Sequence, residues 1–169
     1  MFVALSGMFP ALADVTLPKV IDSNMVLQQK QPLPIWGKAD PGEKVVVKID
    51  RAEVSTTAYA KGDWKVELPA MKADGKTHQM TVSGKNEIKL DNILIGEVWL
   101  GSGQSNMKMG INACGPRAKK DAAAANYPKI RLFSRQPKNR APGPWAECSP
   151  TVLGDPAYGN WGGFSGALF

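Results

Sequence analysis

The sequence predicts a β-rich chain in two parts: an antiparallel, immunoglobulin-like β-sandwich over residues 14–92, then the beginning of an α/β layer over 93–169. Three observations predict it. Short, partly alternating apolar segments recur at close intervals up to residue 90. The 17 glycines and 13 prolines are spread along all 169 residues, which suits short strands and many turns. At Asn92 the pattern changes to a nearly continuous apolar run.

Residues 1–13 carry no charged side chain and end in Ala11-Leu12-Ala13 before Asp14, a small-x-small cleavage pattern. They are expected to be the remnant of a signal peptide whose basic start would lie upstream, which implies a secreted or periplasmic protein; a buried N-terminal strand or helix is the other reading. The run is too short to cross a bilayer, and no other stretch approaches the length of a membrane span. Seven strands are expected at 25–27, 33–36, 44–49, 54–59, 64–68, 79–82 and 87–90. Turn residues at 40–42, 61–63, 73–75 and 83–86 separate them.

Residues 93–100 read as a strand covered on both faces in a parallel sheet. The alanine-rich stretch 119–126 predicts a short helix and 129–133 a second strand. The proline-rich stretch 135–150 predicts a surface loop, and 164–169 the first turns of another helix. Two parallel strands do not make a stable domain, so the chain is expected to stop in mid-fold.

The net charge of +6 comes from 21 basic and 15 acidic residues, scattered without a dense block or arginine-aromatic interleaving, which predicts a solvated basic surface and no nucleic-acid partner. Cys114 and Cys148 fit an oxidising compartment, where a bridge would contribute about 3 to 4 kcal/mol; reduced, buried thiols are the equal alternative. Two thiols without a nearby histidine make a poor metal site, so no metal is expected. The one histidine, His78, sits among the sandwich strands and reads as a surface or half-buried residue.

Chemistry concentrates in Gly101-Ser102-Gly103-Gln104-Ser105-Asn106-Met107. A serine is reactive only where its oxygen stands clear of the backbone ladder and near N–H groups able to hold an oxyanion. Glycines 101 and 103 permit such a turn after a strand, where ligands sit in open α/β sheets. Met107 occupies the second glycine position of the Gly-x-Ser-x-Gly elbow, so the motif is a different one. From spacing alone, Ser105 as the N-cap of a following helix stays open.

The chain resembles the N-terminal portion of the sialate O-acetylesterase family, a branch of the SGNH hydrolases in which a β-rich domain precedes a flavodoxin-like catalytic domain. The residues that carry the likeness are Asn24-Met25-Val26-Leu27-Gln28, Pro34-Ile35-Trp36-Gly37, Ala39-Asp40-Pro41-Gly42-Glu43-Lys44-Val45, Gly62-Asp63-Trp64 and Leu68-Pro69. It continues through Ile95-Gly96-Glu97-Val98-Trp99-Leu100, Ser102 to Met107, Ile130-Arg131-Leu132-Phe133, Trp145 and Cys148-Ser149-Pro150.

The resemblance implies that Ser105 is the nucleophile of a carbohydrate O-acetylesterase and that its own N–H helps hold the oxyanion. Gly103, Gln104 and Asn106 would support the turn or orient an O-acetylated sugar, with a purely structural role equally open for the two amides. It implies no cofactor. The family's base is a histidine in a distant Asp-x-x-His segment, which this sequence does not contain, so these 169 residues alone are expected to be nearly inert. Trp36, Trp64 and Trp99 lie in strand patterns and read as core; Trp145 and Trp161, in loop-like stretches, are the candidates for a carbohydrate contact. Lys108 is a solvated lysine or a contact for an acidic sugar. A function of another class is also compatible: a non-catalytic sandwich that binds glycan or a partner, followed by a degenerate hydrolase remnant.

Overall fold

The computed structural model describes residues 14–101, 111, 114–134 and 145–154. Seven strands are formed by Val26–Gln28 (β1), Leu33–Lys38 (β2), Lys44–Ile49 (β3), Ala52–Thr57 (β4), Asp63–Leu68 (β5), His78–Ser83 (β6) and Glu87–Gly96 (β7). One sheet has the order β1-β7-β6-β3-β4, and β2 pairs with β5 in a second. Every pairing in them is antiparallel except β1 with β7, which is parallel.

Both sheets turn alternate side chains onto one core, the period expected of strands with one wet face. Val45, Val47 and Ile49 of β3 are buried while Lys44 and Lys48 are exposed, and Trp64, Val66 and Leu68 of β5 repeat the pattern. Each such side chain removed from water stabilises the fold by about 1.5–3 kcal/mol. Trp64, 1% exposed, presses on Gly37, where an added Cβ would stand 2.1 Å from the Thr16 carbonyl oxygen and 2.9 Å from the Trp64 ring. At that point Thr16 and Lys38 exchange backbone hydrogen bonds of 2.8 and 3.0 Å.

The expected strands are all present, with shifted ends. Residue 92, where the composition changes, falls inside β7. Asn92 there adopts a left-handed φ of 57°, which asparagine tolerates better than branched residues. Ile93, Leu94 and Ile95 beyond it are buried on both faces, as the apolar run predicted. Their partner is β1 of the first sheet, however, and no new parallel sheet is formed among the described residues.

The expectation of a strand continuing to residue 100 is corrected as well. β1 ends at Gln28, opposite Gly96, so the backbone beyond has no ladder partner among the described residues, and Val98, Trp99 and Leu100 are exposed. Trp36 also lies outside the core, 41% exposed, because β2 turns its odd-numbered residues inward. Of the three tryptophans expected in the core, Trp64 alone is there.

His78 is buried where a surface or half-buried residue was expected. Its Nδ1 lies 2.6 Å from Asp50, in the two-residue β3–β4 turn, and its Nε2 lies 3.3 Å from Asp74. A ring with a carboxylate on each nitrogen can be buried because neither nitrogen loses its partner.

A smaller layer follows. The helix α1 spans Pro116–Ala123, slightly earlier than the alanine run suggested, because Gly115 at φ 95° and Pro116 at the first helical position start it. Tyr127–Leu132 forms β8 as expected. The stretch expected to be a surface loop up to residue 150 instead contributes Ala146–Cys148 (β9), antiparallel to β8. Burial of Cys148 beside Leu132 and Ala125 overrides the local polarity. Ser149 then opens the short helix α2, Pro150–Gly154, by accepting the Val152 N–H on its hydroxyl at 3.3 Å.

Candidate active-site segment

Ser105 and its neighbours Gly103, Gln104 and Asn106 lie outside the described residues. So do the stretches 1–13 and 164–169, Lys108 and Trp161. What is described is the strand that precedes the motif in sequence, β7, and two polar assemblies, one at Asn92 in its middle and one at its downstream end.

The downstream assembly begins where the β1–β7 ladder stops. Gln28 continues it with its side chain: Oε1 accepts the Val98 N–H at 2.8 Å, and Nε2 donates to Glu97 Oε2 at 2.8 Å. Gln29 mirrors the arrangement, with Nε2 donating to Glu97 Oε1 at 2.7 Å and Oε1 accepting the Ala73 N–H at 3.2 Å. Its own N–H donates to the Gly96 carbonyl at 2.8 Å. These donors, Gln28 first and then Gln29, with Lys30 adding a smaller attraction, hold the Glu97 carboxyl below its usual range against a small opposing effect of burial.

The upstream assembly joins the sheet to the smaller layer. Asn24 and Asn92 are both left-handed, at φ 67° and 57°, and Asn92 Nδ2 donates to Asn24 Oδ1 at 2.7 Å and to Glu147 Oε1 at 3.0 Å. Arg131 of β8, with a side chain only 2% exposed, donates from Nη2 to Asn92 Oδ1 at 2.9 Å and pairs with Glu147 at 3.0 Å. It also donates to the Pro128 carbonyl, while its Nε has no partner. Burial pulls the guanidinium's pKa down and Glu147 offsets part of that. Composition marked residue 92 only as a change of character, and nothing in the spacing singled out Asp50, Asp74 or Glu147. The hint for Asn92 was a lone polar residue opening an apolar run.

Trp145, expected in an exposed loop, is half-buried in this joint. Its ring centroid lies 5.1 Å from that of Phe133, and its indole N–H donates to the Val20 carbonyl at 2.9 Å. Cys114 is exposed just before α1, while Cys148 is buried, and burial pushes its thiol pKa up. Among the described residues no group of three or more His, Cys, Asp or Glu could hold a metal, and no helix is long and apolar enough to cross a membrane.

Comparison with known proteins gives a consistent picture. No family model matches the chain. Sialate O-acetylesterase of Mus musculus is 34% identical over 126 residues, covering 68% of this chain and 23% of the mouse protein. The Homo sapiens sialate O-acetylesterase is 33% identical over 129 residues, 69% of this chain and 24% of its own length. Among solved structures, a carbohydrate acetylesterase from Xanthomonas citri superposes with a TM-score of 0.72 at 35% identity, over 83% of this chain and 34% of that one. The chain is a homologue of the sialate O-acetylesterases, matched over about two thirds of its own length and under a quarter of theirs.

Proposed function

We propose that this chain carries the nucleophile of a carbohydrate O-acetylesterase, with Ser105 attacking the acetyl carbonyl of an O-acetylated sugar. The observation that carries the reading is Gly103-Gln104-Ser105-Asn106-Met107, placed shortly after β7 in a homologue of sialate and carbohydrate acetylesterases. In this reading the serine oxygen bonds to the acetyl carbon as its proton passes to a base, and the sugar hydroxyl leaves with a proton returned. Water then cleaves the acetyl-serine to acetate. The Ser105 N–H steadies the oxyanion, and Gly103 and the amides of Gln104 and Asn106 shape the turn.

The fold assignment that goes with it is an immunoglobulin-like sandwich followed by the start of an SGNH hydrolase layer. The exposure of Val98, Trp99 and Leu100, with Leu100 at 92%, supports further strands or helices packing there in an active assembly. His78 cannot serve as the base, since both its ring nitrogens are engaged by Asp50 and Asp74 in the sandwich. In this reading the base comes from a further segment, and secretion or a periplasmic location is part of the proposal.

The test has two arms. The 169-residue chain alone should release no more acetate from p-nitrophenyl acetate than its Ser105→Ala variant; robust Ser105-dependent turnover would show that no further base is needed. A chimera continuing into the part of the Xanthomonas citri enzyme beyond the match should deacetylate acetylated sugars and lose at least about 10³-fold in rate on Ser105→Ala. A folded chimera that binds acetylated glycan but shows no Ser105-dependent turnover would favour the non-catalytic module. Trp36, exposed on the outer face of β2 opposite Lys65, is the observation on that side.

A further inference from the structure

Gln28 and Glu97 belong to different stretches of sequence, yet they meet where β7 loses its partner strand. An ionised carboxylate can only accept hydrogen bonds, so Glu97 requires the Nε2 end of each neighbouring amide to face it. The opposite end of a planar amide is an oxygen. Fixing Nε2 of Gln28 on Glu97 therefore aims its Oε1 outward, and there it accepts the Val98 N–H. The same constraint on Gln29 aims its Oε1 at the Ala73 N–H, which ties in the loop between β5 and β6.

We infer that Glu97 is a positioning residue: its carboxylate sets the orientation of the Gln28 and Gln29 amides, so that Gln28 extends the β1–β7 ladder by one side-chain rung and fixes the exit of the chain from β7 at Val98. The relevance to Ser105, eight residues further on, rests on the function proposed above. The clasp itself does not. Glu97 is exposed, so its effect is orientation of one strand exit and not overall stability. Glu97→Gln keeps the size of the side chain but leaves one acceptor oxygen for two donors. One of the two glutamine amides must then rotate or lose its bond.

The test is amide hydrogen exchange on the 169-residue chain, read at single residues. Glu97→Gln should speed exchange about tenfold at the Val98 N–H, which Gln28 holds, or at the Ala73 N–H, which Gln29 holds, and Gln28→Ala should do so at Val98 by removing the acceptor. The double variant should be no faster than Gln28→Ala alone, because both changes act through one bond. Exchange at Val82, in the centre of the sheet, and the urea midpoint should not move. Ser105→Ala should leave Val98 exchange unchanged while abolishing turnover in the chimera, so the nucleophile and the clasp fail separately. Unchanged exchange at both Val98 and Ala73 in Glu97→Gln, a uniform rise at all amides, or additive effects at Val98 in the double variant would each overturn the inference.

Discussion

Replacing Gly37 by alanine tests whether β2, β5 and the N-terminal segment are locked at one point. The new Cβ would stand 2.1 Å from the Thr16 carbonyl oxygen and 2.9 Å from Trp64 Cζ2. Backbone cannot be compressed to such a distance, so the Thr16 segment must retreat by about 1 Å. That retreat breaks the 2.8 and 3.0 Å bonds between Thr16 and Lys38, each contributing about 0.5–1.5 kcal/mol. Displacing the fully packed Trp64 ring costs about 1–3 kcal/mol more. The loss of backbone freedom in the unfolded chain returns about 0.4–1 kcal/mol. The net expectation is destabilisation by about 1–5.5 kcal/mol. Gly42→Ala is the control: its φ of 79° disfavours a side chain by about 1–2 kcal/mol, but the added Cβ meets nothing within 4 Å. Urea titration followed by tryptophan fluorescence, with m held constant, reads both. If Gly37→Ala costs no more than Gly42→Ala, the close approach does not constrain the fold and the reasoning fails.

Two further outcomes follow from the joint and the small layer. Asn92→Ala should destabilise by about 2–3 kcal/mol, since it places a residue with a Cβ and no local polar partner at φ 57° and strips Arg131 and Asn24 of a partner. Asn92→Gly relieves only the backbone strain and should recover about 1 kcal/mol of that; equal losses in the two variants would show that φ plays no part. Cys148 should resist a thiol reagent in the native protein at pH 8 and label fully in denaturant, because burial both hides the sulfur and raises its pKa. Native labelling as fast as in the unfolded chain would contradict its placement beside Leu132.

The strands of the two sheets were legible because their inner residues alternate cleanly. Val45, Val47 and Ile49 or Trp64, Val66 and Leu68 admit one register only, since a slip by one residue would expose them. Less legible was anything decided by a partner distant in sequence. The run from Ile93 to Leu100 looks uniform, but its first half is covered by β1 and its second half is not, and no local pattern carries that difference. The short strand β9 hides in polar, proline-rich sequence for the same reason: Cys148 is buried in a cluster with Leu132 and Ala125, both distant in sequence. Trp36 and Trp64 are equally apolar, and parity along their strands sends one outward and the other in. The serine motif was legible through residue types alone, whereas the carboxylate-amide arrangement leading to it needed Gln28 and Glu97 to be seen together.

The parallel pairing of β1 with β7 bears on how such a chain can be dissected. A cut at residue 92, where composition invites it, would strip β1 of Leu94, Ile95 and Gly96, the residues it is laddered to, and remove Ile93 and Ile95 from the hydrophobic core. An unpaired edge and an apolar hole would result, and an isolated first module made that way would be prone to stick to its own copies. Any division of the chain that keeps these contacts has to leave β7 whole and carry Glu97 and Val98 with it, since both are held by Gln28.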